Sequence, residues 1–309
     1  MMAKHTVKAL TITVLATVAS AQTGTGKTLP QSFWSPKPSK LAPYTAPNRP
    51  IWRLADMMAG HHGRADWVQP IIRNPDQDAD YISMAPGRKT APQAFADDRV
   101  VFFVQAGALR VTMDGVAPFV ATKGFMVDIP FRRFYTLETV GSEPSLRFEV
   151  RKGGGEPPLF PADVTPIARP GVTYVKVRGT GDPDPTTATN APFADFLKEA
   201  ATDRPIHRPF VRDDHNAVNI LRGKGEPVAP PSNKGHFHVG YTEFWYIAEG
   251  KMDYQIEGVG FFTADQGDIV TAVQGRWHRA SWSNQTPIST RVAINPRPFG
   301  LHDFETKED

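Results

Sequence analysis

Four residues in the last third of the chain have the types and spacing of a metal site. Gly235-His236-Phe237-His238 is followed, after four residues, by Glu243, and Gly250 closes the segment. On an extended segment His236 and His238 project to one side, because strand side chains alternate. Glu243 opens an apolar run, EFWYI, whose alternate members face inward. A third imidazole, His278, comes eleven residues after Gly267 and three after Gly275. Three imidazoles and one carboxylate converging inside a small barrel suit a divalent transition metal. Such a set leaves positions open on a five- or six-coordinate ion, and catalysis requires open positions.

The elements that must position these residues are short strands. Proline (29) and glycine (25) make about one residue in six of the 309, too many for a helical bundle. Val100–Gln105, Ala108–Met113 and Phe125–Ile129 read as strands, and the pattern resumes from His215 to Ile294. Residues 151–204 read as a linker with one strand-like piece, Val172–Val177, and a helix over Phe193–Ala201. The two strand-rich regions repeat each other. At an offset of 143, Gly107, Gly115, Val116, Phe119, Ala121 and Gly124 fall on Gly250, Gly258, Val259, Phe262, Ala264 and Gly267. Shared turn glycines at one offset predict a duplicated β unit. The same offset places Gln93, Phe95, Val100 and Tyr135 at the four donor positions of the first copy, a set that makes no transition-metal site.

Composition removes several function classes. With no cysteine there is no disulfide, thiolate zinc site, iron–sulfur ligation or cysteine nucleophile. A formal charge of +3 is not that of a nucleic-acid binder. Lys4 and Lys8, the apolar run Ala9 to Ala21 and its Ala-Ser-Ala end have the pattern of a secretory signal peptide, too short to span a bilayer. Its removal takes two lysines and no acid, leaving +1. No later segment has the apolar length of a membrane span, so the expectation is a periplasmic or secreted protein. Residues 22–50, with six prolines, read as an extended arm.

The motifs resemble those of the cupin superfamily, in its two-domain bicupin form. The first cupin motif, G-x5-H-x-H-x3–4-E-x6-G, matches from His236 through Glu243 to Gly250, with Pro230 in the slot of the leading glycine. The second, G-x5-P-x-G-x2-H-x3-N, runs through Gly267, Gly275 and His278, with Val273 for the proline and Trp282 for the asparagine. In the first copy Gly124 and Pro130 keep the scaffold of that motif. The resemblance implies an all-β chain: two tandem cupin barrels (jelly-roll, double-stranded β-helix) with a short helical linker. The expected division is signal peptide 1–21, arm 22–50, a degenerate barrel 51–150, linker 151–204, a metal-binding barrel 205–300 and a tail 301–309. It also implies one divalent metal per chain on His236, His238, Glu243 and His278, with Cu, Zn, Fe, Mn and Ni all compatible.

Strand parity places Trp245 and Ile247 on the side of Glu243, and Trp282 on the side of His278, as pocket walls. Lys234, Arg279 and Arg291 are the cations available to anchor a carboxylate. Cupins with such ligands include dioxygenases, oxalate-degrading enzymes, lyases and isomerases. The reading placed first is an oxygenase acting on a small phenolic, enolic or carboxylate substrate, with Glu243 as catalytic base. A metal-dependent lyase, decarboxylase or isomerase, and a non-catalytic metal- or ligand-binding protein, stay open beside it. The expected partner is a small molecule, with self-association into a homo-oligomer left open.

Overall fold

The computed structural model describes residues 34–179, 181–184, 188–196, 206–213, 215–225 and 234–296. The expected signal peptide, the arm before Trp34, Pro230, the end of the expected linker helix and the tail lie outside them. The first strand-rich region contains β2 (Trp67–Arg73), β3 (Gln77–Met84), β4 (Val100–Ala106), β5 (Ala108–Met113), β6 (Val116–Thr122), β7 (Phe125–Ile129), β8 (Tyr135–Thr139) and β9 (Ser145–Lys152). The second contains β11 (Ile206–Arg212), β12 (Ala217–Gly223), β13 (Glu243–Glu249), β14 (Lys251–Ile256), β15 (Gly260–Asp265), β16 (Ile269–Ala272), β17 (His278–Trp282) and β18 (Ser289–Asn295). Each region forms one large and one three-stranded antiparallel sheet in the same order, β7-β4-β9-β3-β2 with β6-β5-β8, and β16-β13-β18-β12-β11 with β15-β14-β17. The duplication seen in the turn glycines is therefore a duplication of the whole barrel.

Burial explains the two strand patterns. The runs VVFFVQA of β4 and EFWYIAE of β13 are buried on both faces. One face looks into its own barrel, and the other packs on the opposite barrel. By contrast β14 alternates strictly, because its outer face meets water. Between the large sheets lies an aromatic layer: Phe103 stacks on Tyr246 at 5.3 Å, and Phe148 on Tyr246 at 5.8 Å. Gly107 and Gly250 turn the chain between β4 and β5 and between β13 and β14, at φ of +69° and +68°. A Cβ there would also collide with the backbone oxygens of Pro144 and Ile288, so both needs select glycine.

Three features depart from the sequence reading. The short strand β1 (Ile51–Trp52) precedes the first barrel but pairs with β16 of the second. Likewise β10 (Ala191–Pro192) precedes the second barrel and pairs with β7 of the first. Each large sheet thus takes its sixth strand from the chain leading into the other barrel. Val172–Val177 is not a strand: it finds no pairing edge, and Val175 and Val177 are exposed. A helix, α1 (Leu54–Gly60), follows β1, its first N–H accepted by Asp268. The linker helix α2 is described over Phe193–Phe196. Part of the arm lies on the second barrel, where Arg276 donates to the Ala42 carbonyl and Tyr44 to that of Thr271.

A buried carboxyl gives the fold a pH signature. Asp98 is 3% exposed, and burial raises its pKa to about 6 against the lowering effect of N–H donors from Lys152 and Arg99. The folded state then holds the proton more tightly than the unfolded chain. The Asp98 contribution is full below its unfolded value of 3.8 and is lost as pH rises through about 6. Asp98→Asn should flatten the fall in urea midpoint across this window; an unchanged pH slope would contradict the assignment.

Candidate metal centre

The structure brings the four expected donors together at one end of the second barrel. His236 and His278 form an isolated antiparallel bridge, each backbone N–H donating to the other's carbonyl, at 2.9 and 2.8 Å. Glu243 heads β13 and His278 heads β17, so the cluster joins the two sheets of the barrel. The equivalent bridge in the first barrel is Gln93 with Tyr135, whose side chains hydrogen-bond at 3.0 Å. Phe95 and Val100 there belong to the apolar core, so the first copy has no donor cluster.

The donor atoms converge. Glu243 Oε2 lies 2.8 Å from His238 Nε2, 3.4 Å from His278 Nε2 and 3.9 Å from His236 Nε2. His236 and His278 approach at 3.1 Å through Nε2 atoms, and all four donors lie within 4.8 Å of one another. Ligands at about 2.1 Å around one ion stand about 3.0–3.4 Å apart, so the spacing fits a single metal. The orientation of His278 fits as well. Its Nδ1 is 3.0 Å from the Arg276 carbonyl, which can only accept, so Nδ1 carries the proton and Nε2 offers its lone pair to the cluster.

Packing holds these rings in place. Tyr241 stacks on His238 at 4.4 Å, and Trp245 meets His278 edge-on at 5.0 Å. His238 and His278 side chains are 2% exposed and Glu243 9%, whereas His236 is 31% exposed and marks the open side. Burial alone would raise the Glu243 pKa. The neighbouring imidazoles, His236 first, outweigh it and hold the carboxyl well below its ordinary range. Burial also pushes His278 down to about 4, favouring the neutral form that a metal needs.

The pocket candidates separate. Trp245 and Ile247 face the barrel interior, Trp282 packs against the same cluster, and Arg291 lies opposite Ile247 on β18. Lys234 is exposed beside Gly235, where water rather than the interior surrounds its ammonium. Arg279 bonds outward to Gln255 at 2.8 Å. His61 is occupied by a stack on Trp67 at 4.3 Å. Sequence reasoning missed Tyr241, which sits in a loop without strand parity, and Tyr254, which reads as ordinary strand core.

Comparison of the sequence with protein-family models and with curated proteins finds no match. Solved structures do match. A cupin 2 conserved barrel domain protein from Leptotrichia buccalis has a TM-score of 0.53 at 12% identity, covering 80% of this chain and 96% of that one. An oxalate decarboxylase has a TM-score of 0.50 at 11% identity, over 82% of this chain and 78% of that one. A deletion mutant of the Bacillus subtilis oxalate decarboxylase gives 0.49 at 12% identity, over 81% and 78%. At such identities the likeness is one of fold: this chain folds as tandem barrels of the cupin type.

Proposed function

Starting from two tandem cupin barrels of which one bears the donor cluster, we propose that the second barrel is a metal-dependent catalytic centre. One divalent transition metal is held by His236, His238, Glu243 and His278, and the first barrel holds none. The observation that carries this reading is the convergence of three imidazoles and a carboxylate, buried except on the His236 side. The proposed reaction is an oxygenation of a small phenolic, enolic or carboxylate substrate.

The metal supplies a Lewis acid that polarises a substrate oxygen or, if redox-active, allows reaction with O₂. The chain supplies the rest. Glu243 is the base: as the one carboxylate of the set, it can accept a proton from substrate. Tyr241 and Trp245 fix His238 and His278 and keep water from the buried side. The exposed edge of His236 is the side from which substrate enters. The proposal includes export, with residues 1–21 removed and metal acquired outside the cytosol.

Elemental analysis of the exported protein, its chain beginning near Gln22, should find one transition metal per chain. A value near two, or unchanged content in the His236→Ala, His238→Ala double variant, would overturn the assignment. Oxygen-uptake screening with phenolics and small carboxylates tests the reaction. Turnover without O₂ consumption would replace oxygenation by lyase or isomerase chemistry.

A further inference from the structure

Both barrels carry an arginine at the same interior place, and among the described residues only one of the two is paired with a carboxylate. Arg147 lies on β9 opposite Val104, and Arg291 lies on β18 opposite Ile247. Val104 and Ile247 correspond at the repeat offset. In the first barrel, Arg147 donates from Nε to Glu149 at 2.8 Å and from Nη1 to the Met84 sulfur at 3.1 Å. Glu149 reaches it because residues two apart on a strand share a face. Opposite Glu149 is Phe102; opposite Trp245, the counterpart of Phe102, is Ala293. The second barrel therefore has a methyl group where the first has the neutralising carboxylate.

Arg291 is left with a charge and, among the described residues, no acid to meet it. Among the described residues no carboxylate pairs with it, and its buried Nε has no hydrogen-bond partner. Two more buried polar atoms lie on the facing sheet: the Tyr254 hydroxyl on β14, which is near enough to accept from Arg291 but whose own proton has no acceptor, and the Trp282 Nε1 on β17, which has no hydrogen-bond partner. Leaving such groups unmet inside a protein is costly, and all three are hydrogen-bond donors. Tyr254 also lies within electrostatic reach of the donor cluster. Burial pushes its hydroxyl up, the Arg291 charge opposes this, and the Glu243 charge adds to the rise.

We propose that Arg291, with the Tyr254 hydroxyl and the Trp282 indole N–H, binds the carboxylate of a small organic acid inside the second barrel. A carboxylate supplies the missing charge and has lone pairs enough for all three donors. The ligand takes the place that Glu149 fills in the first barrel. That this acid is also the substrate rests on the catalytic reading above; the anion site itself does not.

Calorimetric titration of chelator-treated and metal-loaded protein with acetate, benzoate and malonate, and with acetamide, benzamide and malonamide, tests this. The acids should bind metal-free protein, and the amides at least about tenfold more weakly. Arg291→Met should weaken acid binding by about ten- to a hundredfold, the effect of losing a charged hydrogen-bond partner. Arg291→Lys, which keeps the charge but not the fork, should lose less. Tyr254→Phe should weaken binding several-fold. Ala293→Glu, which copies the first barrel, should abolish acid binding with metal content unchanged, and its melting temperature shows whether it folds. Acids that bind Arg291→Met and Ala293→Glu like the unmodified protein, amides that bind as well as acids, or no acid binding at millimolar concentration would each overturn the proposal. Acid binding in a protein that takes up no metal would sustain the anion site and reject the catalytic reading.

Discussion

Glu243→Gln should lose about 10²–10⁴-fold in turnover, the usual worth of a general base, while keeping most of its metal. Gln preserves the size of the side chain and one carbonyl oxygen, so the donor geometry survives. It removes the proposed proton acceptor and the charge that the neighbouring imidazoles hold in the ionised form. His278→Ala should behave differently. That residue gives the cluster an imidazole whose tautomer is set by the Arg276 carbonyl, and it packs against Trp245. Its loss should remove metal and turnover together. Turnover of each variant divided by its metal occupancy makes the comparison. Equal metal loss in both would reduce Glu243 to a ligand.

Arg99→Met should lower the free energy of unfolding by about 3–5 kcal/mol, the cost of breaking a buried ion pair from one side. Arg99 is 5% exposed and meets acids from three parts of the chain. Its Nη1 bonds Asp128 on β7 at 2.7 Å, its Nη2 bonds Asp184 in the linker at 2.6 Å, and its Nε bonds Asp213 in the β11–β12 turn at 2.7 Å. The guanidinium fork thus ties both barrels to the linker. Without it, three carboxylates face one another, two of them buried. Urea unfolding measures the loss, and Arg99→Lys should recover only part of it. A loss under about 1 kcal/mol would mean that the acids are neutralised by other means.

The donor cluster and the double barrel were both legible from local patterns. His236 and His238 are two residues apart, Glu243 heads an apolar run, and glycines mark the turns around them. These are short-range signals, set by strand alternation and by the positive φ of a turn. The arginine pair was not legible in the same way. Between Tyr135 and Ser145 of the first barrel and His278 and Ser289 of the second, the repeat offset changes from 143 to 144. An ungapped comparison therefore sets Arg147 against Thr290, and only the strand register aligns it with Arg291.

By itself, then, the sequence determined the strand class, the duplication, the four donor residues and their absence from the first copy. Each of these depends on residue type and on spacing along a few neighbouring strands. Tertiary structure alone decided which edge β1 and β10 would complete, which three acids Arg99 would gather, and that Arg291 would face Tyr254 with no acid of its own among the described residues. Those outcomes depend on how the barrels pack and on which buried charges find partners. Such partners lie 29 to 114 residues apart in the Arg99 cluster, beyond any local pattern. A buried charge is satisfied by whatever the fold brings beside it, and proximity across such separations is a property of the packed chain.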